Sequence, residues 1–188
     1  MVGIMLLRHG EERERNHDDH NSGIDELGHK DGKSLTVRGW QRAGGLALLF
    51  QAPPAPLTRP NAIFASGPRD KHAPGSPSQR PSQTIAPLAR RLDLIPDLSL
   101  SRGEEEDLAE RLRGQRSVLV SWQHEFIAAI VCAVMGGAVA LPGWDDDVFD
   151  EIWLLTATET QRNWTLTRLG QGILAGDRSG SIGLPMIL

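Results

Sequence analysis

The chain of 188 residues has the length of one domain, and 39% hydrophobic with 23% charged residues is the composition of a globular protein rather than a disordered, collagen-like or disulfide-stapled one. A net charge of -4 excludes general attraction to nucleic acid or to an anionic membrane as the source of affinity, so any anion must be met locally. No apolar run approaches the roughly 18 residues that a membrane-spanning helix needs, and the single cysteine, Cys132, sits in an apolar run, which reads as a reduced core residue of a cytoplasmic protein.

Val2 to Leu7 is nearly all apolar and predicts a strand buried on both faces, with Arg8-His9-Gly10 at its end. Residues 11 to 34 are polar and without period, a long loop. Thr36 then caps a helix over about 36 to 51, in which Trp40, Ala43, Ala47 and Phe50 recur at helical spacing. Prolines after Ala52 end it, and residues 61 to 65 read as a second strand closed by Ser66. After a loop over 67 to 79, helical spacing resumes at Thr84, where Pro87 implies either a kink or a later start. Glu104 to Arg113 is a short helix with its carboxylates at the favourable end. Ser117 to Ser121 is a third buried strand, and Glu125 to Met135 an apolar helix stopped by Gly136-Gly137. Residues 152 to 157 and 163 to 169 pair as a hairpin or as neighbours, and the tail from Gly176 packs across the domain, covers the site or meets a second subunit. This alternation argues a single α/β layered domain over residues 1–188.

In such folds the ligand site lies beyond the carboxyl ends of the strands. Here those ends carry Arg8-His9, a loop leading to Arg80, and Ser121-Trp-Gln-His124-Glu125. Two imidazoles and two guanidinium groups converging on one crevice suit a phosphoryl group. Four segments in order also resemble the motifs of the histidine phosphatase superfamily, which includes the phosphoglycerate mutases: Leu7-Arg8-His9-Gly10-Glu11, Leu35-Thr-Val-Arg-Gly39, Ser76-Pro77 through Arg80 to Gln83-Thr84, and the strand before His124. The resemblance implies a three-layer α/β/α sandwich with a mostly parallel central sheet. It also implies a phosphomonoester hydrolase that needs no metal and no cofactor. His9 is then the nucleophile that becomes phosphorylated, Arg8 and Arg80 clamp the phosphoryl oxygens, and His124 completes the phosphate pocket.

The sequence departs from the family pattern in three places. Ser76 lies ten residues beyond Ser66, which makes Arg69 a rival of Arg80, with Lys71 and His72 on the same rim. Two residues separate Ser121 from His124, where the family has Ser-His-Gly. The acid is either upstream, at Glu104, Glu105 or Glu106, or directly after the second histidine, at Glu125; Glu105, 25 residues after Arg80, is favoured. A small phosphorylated molecule or a phosphoprotein is the expected partner, with nucleic acid and membrane excluded and the oligomeric state open. The altered surroundings of His124 leave an alternative, a catalytically weak phosphate-binding or scaffold protein. The groups His17-Asp18-Asp19-His20 with His29, and Asp145-Asp146-Asp147 with Asp150 and Glu151, could ligate a metal but read as solvated loops. Trp122 reads as core filling.

Overall fold

The computed structural model describes residues 2–13, 22–68, 78–157 and 164–188. Within these residues seven strands form one sheet: β1 (Val2–Arg8), β2 (Ala62–Ala65), β3 (Ser117–Trp122), β4 (Glu151–Ala157), β5 (Trp164–Gln171), β6 (Ser179–Ser181) and β7 (Met186–Ile187). Among the described residues four helices cover it: α1 (Val37–Gln51), α2 (Arg80–Leu92), α3 (Glu105–Leu112) and α4 (His124–Met135). The strand order is β2-β3-β1-β4-β5-β6, with β7 also on β5. Parallel pairing holds within β2-β3-β1, and from β4 onward the sheet is antiparallel.

The two-residue period of the strands divides the core into two layers. Ile4 and Leu6 of β1, Val118, Val120 and Trp122 of β3, and Trp153 and Leu155 of β4 face α3 and α4. Met5, Leu7, Leu119, Ile152 and Leu154 face α1 and α2. The result is the expected three-layer α/β/α sandwich. No helix among the described residues is long and apolar enough to cross a membrane.

Local sequence explains most boundaries. Thr36 caps α1, its hydroxyl accepting from Gly39 N, and Gly136, at φ 75°, ends α4 in the left-handed region. The second helix begins at Arg80, before the resumption of spacing at Thr84. Its first turn holds Pro81, where the missing N–H has no helical partner to lose, and it runs on through Pro87. Burial of Ile85, Leu88 and Ala89 against the sheet offsets the interior proline. The tail is part of the sheet, since β6 pairs with Leu169 to Gln171 and β7 with Thr165 and Leu166. Cys132 is half-buried, its thiol facing Val139 O at 3.9 Å, rather than a core residue.

The register fixes where the site lies. Leu7 pairs with Ser121 on one side and Ile152 on the other, and His9 N donates to Trp122 O at 3.1 Å. The end of β1, the end of β3 and the entry to antiparallel β4 therefore meet at one edge. Thr36→Ala, which removes the cap and the hydroxyl's bond to Glu11 O at 3.2 Å, should lower unfolding free energy by about 1 kcal/mol in urea titration.

Candidate active site

His9 is 4% exposed, and its Nδ1 lies 2.8 Å from Gly10 O. A carbonyl only accepts, so Nδ1 carries the proton and Nε2 is left with its lone pair. Burial, helped by the cations of Arg8 and Arg80 and opposed by Glu12 and Gly10 O, pushes the imidazole pKa down to about 4. The ring is therefore neutral near pH 7, the state a nitrogen nucleophile requires.

The two motif glycines have a shared cause. A Cβ on Gly10 would come within 3.0 Å of Gly39 O, and one on Gly39 within 2.6 Å of Glu11 O. The loop after β1 and the start of α1 pack backbone to backbone. Gly10 N donates to Thr84 Oγ1 at 2.8 Å, Thr84 in turn donates to Arg80 O at 2.7 Å, and Gln83 Oε1 accepts from Leu35 N at 2.9 Å. The Gln-Thr pair thus ties three of the four motifs together.

Arg8 is 2% exposed. Its Nη1 donates to Asp146 O and, at 3.5 Å, to Val148 O, its Nη2 to Glu12 Oε1 at 3.0 Å, and the guanidinium lies 3.8 Å from the Phe149 ring centroid. Its buried Nε has no hydrogen-bond partner among the described residues. Arg80 Nη1 meets the other oxygen of the same carboxylate, Glu12 Oε2, at 2.6 Å, while Nη2 donates to Gly32 O at 2.8 Å. Arg8 and Arg80, 72 residues apart in sequence, thus converge on one anion. Against the opposing effect of burial, Arg80 and Arg8 hold Glu12 ionised below the ordinary carboxylate range.

His124 opens α4 and lies between two carboxylates: Nδ1 is 3.2 Å from Glu125 Oε2 and Nε2 is 2.8 Å from Asp146 Oδ1. A cavity of about 640 Å³ is lined by Arg8, Glu12, His124, Glu125, Asp146 and Phe149, among others. Glu105 is not on its wall. That carboxylate is buried, accepting from Trp122 Nε1 at 3.0 Å and Gly103 N at 2.9 Å, and Trp122 fills the core as expected. Glu104 accepts from Ser101 N and Oγ, each at 2.8 Å, and Glu106 is exposed on α3. Of the four acids considered, Glu125 is the one that borders the cavity beside His124.

A second network holds the rim. Arg42, 2% exposed, donates to both oxygens of Glu11, to both of Asp177 and, at 2.7 Å, to Gln171 Oε1. It joins the loop after β1 to α1, β5 and the tail. Sequence reasoning missed Glu12, Asp146, Phe149 and this arginine. Glu12 carried a signal in hindsight, being an acid three residues from the proposed nucleophile. The segment expected to be a solvated turn, Asp145 to Asp147, supplies Asp146 to His124 and to Arg8, and Asp150 and Glu151 are occupied by Arg178 and Arg168. His29 pairs with Asp25 at 3.2 Å. Arg69, Lys71, His72, Ser76, Pro77 and the group from His17 to His20 lie outside the described residues.

No family model matches this sequence, and no curated protein does. Among solved structures, the protein histidine phosphatase SixA complexed with tungstate aligns over 90% of this chain and 97% of its own, with 16% identity and a TM-score of 0.56. A phosphoserine phosphatase mutant from Entamoeba histolytica in complex with phosphoserine aligns over 88% and 95%, with 12% identity and a TM-score of 0.49. The likeness to the first is one of fold: the chain has the histidine phosphatase, phosphoglycerate mutase-like architecture that the four motifs imply.

Because the folded pKa of His9 is depressed, protonation favours the unfolded chain. Its contribution to stability is complete above the unfolded value near 6.5 and is lost as pH falls toward about 4. Urea unfolding of the wild type should weaken between pH 7 and 5, and His9→Gln should flatten that slope. A ring-nitrogen NMR titration should find Nδ1 protonated and a midpoint near 4.

Proposed function

We propose that the chain is a metal-independent phosphomonoester hydrolase that acts through a phosphohistidine on His9. The observation that carries the reading is the pairing of a neutral, buried imidazole, its Nδ1 committed to Gly10 O, with two guanidinium groups already converging on one anion. Planar guanidinium groups match phosphoryl oxygens, and phosphoryl transfer depends mainly on positioning and on neutralising charge. Arg8 and Arg80 supply that charge, and His124 donates a further hydrogen bond.

In the first step His9 Nε2 attacks phosphorus, the bond to the ester oxygen breaks, and an acid protonates the departing alkoxide. In the second, water attacks the phosphohistidine, its proton passes to the same carboxylate, the N–P bond breaks and orthophosphate leaves. We assign the acid to Glu125 rather than Glu105. Glu125 borders the cavity next to His124, whereas Glu105 is engaged by Trp122 and Gly103. The substrate is a small phosphorylated molecule or a phosphoprotein, and its natural identity resides in the rim loops.

Hydrolysis of p-nitrophenyl phosphate in excess chelator from pH 5 to 8 should proceed in the wild type and vanish in His9→Ala. No loss from His9 protonation is expected in that range, since its pKa lies near 4. Retained phosphate binding without turnover on any monoester would instead select the binding-protein alternative. Glu125→Gln should lower kcat/KM, which reports formation of the phosphohistidine, by roughly 100-fold or more for phenyl phosphate and much less for p-nitrophenyl phosphate, the signature of a lost proton donor. An equal fall in kcat/KM for both substrates would remove the assignment.

A further inference from the structure

We propose that Glu12 is an affinity-setting residue: its carboxylate is an internal competitor for the phosphoryl group, seated in the clamp of Arg8 and Arg80 until the substrate displaces it. The proposal rests on the phosphatase reading and adds to it what governs phosphate affinity and release.

Each oxygen of Glu12 takes a different guanidinium, Oε1 on Arg8 Nη2 at 3.0 Å and Oε2 on Arg80 Nη1 at 2.6 Å. This bridging arrangement is what two phosphoryl oxygens would make with the same donors, and both anions cannot hold them together. Glu12, about a third exposed, is on the cavity wall, whereas His9 and Arg80 are not among the residues that line it.

Displacement of Glu12 leaves the clamp standing. Arg8 keeps the carbonyls of Asp146 and Val148, and Arg80 keeps those of Gly32 and Ser34. The backbone on either side of Glu12's neighbour is fixed too, with Gly10 N on Thr84 and Glu11 O accepting from Thr36 N at 3.0 Å. Exchange therefore needs only rotation of the Glu12 side chain between rotamers. When orthophosphate leaves, the carboxylate returns and keeps the buried cation of Arg8 paired.

An occupant of the clamp handicaps every competing anion by one common factor, the equilibrium for its own seating. A charge that merely stood nearby would handicap a dianion more than a monoanion. This difference makes the proposal testable with phenylphosphonate, a non-hydrolysable dianion, and phenyl sulfate, a monoanion. Their affinities would be measured by calorimetry at pH 8 for wild type, Glu12→Gln, Glu12→Ala and Arg80→Ala. Both Glu12 variants should bind both ligands tighter by a similar factor, roughly tenfold, and Arg80→Ala should bind both more weakly. The inhibition constant of orthophosphate should fall by the same factor in Glu12→Gln. Unchanged or weaker binding in both Glu12 variants overturns the role of Glu12 alone, as does tightening confined to the dianion. Absence of phenylphosphonate binding in every protein overturns the phosphatase reading and this role together.

Discussion

The burial of the Arg8 guanidinium is the constraint on which the site depends. A cation this far from water is costly, and desolvation draws its pKa below the ordinary arginine value. The structure answers with two carbonyls, one carboxylate and an aromatic face, drawn from the segment entering β4 and from the loop after β1. Glu12 lies four residues after Arg8, but the two carbonyls and the aromatic ring are distant in sequence. They are brought there because β4 runs antiparallel to β1, so that the entry of one strand lies beside the exit of the other. A wholly parallel sheet would carry the start of that strand to the opposite end of the molecule. The switch from parallel to antiparallel pairing at the centre of the sheet thus gathers the partners of the Arg8 guanidinium.

Around that centre, neutral and charged requirements are separated. His9 must be uncharged to serve as the proposed nucleophile, and it is kept so by burial and by its two cationic neighbours. The same cations hold Glu12 ionised. Opposite demands on two adjacent groups are met by one pair of arginines, because a positive field stabilises the neutral base and the charged acid together. Farther out, Arg42 compensates Glu11 and Asp177, and so fixes the loop, the first helix and the tail to each other.

Much of this was legible from residue order. The apolar runs located β1, β2 and β3, Thr36 located the first helix, and the strand ends indicated Arg8, His9, Arg80 and His124, which the fold gathers at one edge. The start of the second helix is masked in the sequence by Pro87, which has the look of a breaker, whereas the informative proline is Pro81, harmless in a first turn. The acid was harder. Glu105 had a suitable distance in sequence, but sequence cannot show that the indole of Trp122 is already using its carboxylate. Asp146 was illegible for a related reason: it reaches His124 and Arg8 across separations of 22 and 138 residues, from a segment with no period of its own.

The edges of the sheet carry a last consequence, for association rather than catalysis. An exposed strand edge offers unpaired donors and acceptors to another chain. Here β2 is covered along its outer side by the segment at Asp97, whose N–H takes Ile63 O at 2.9 Å and whose carbonyl takes Ala65 N at 3.1 Å. At the opposite margin the tail folds back twice, laying β6 and β7 along separate stretches of β5. Three- and two-residue strands are too short to template a neighbour's backbone. Continuation of the sheet from one molecule into another is thereby discouraged at both margins.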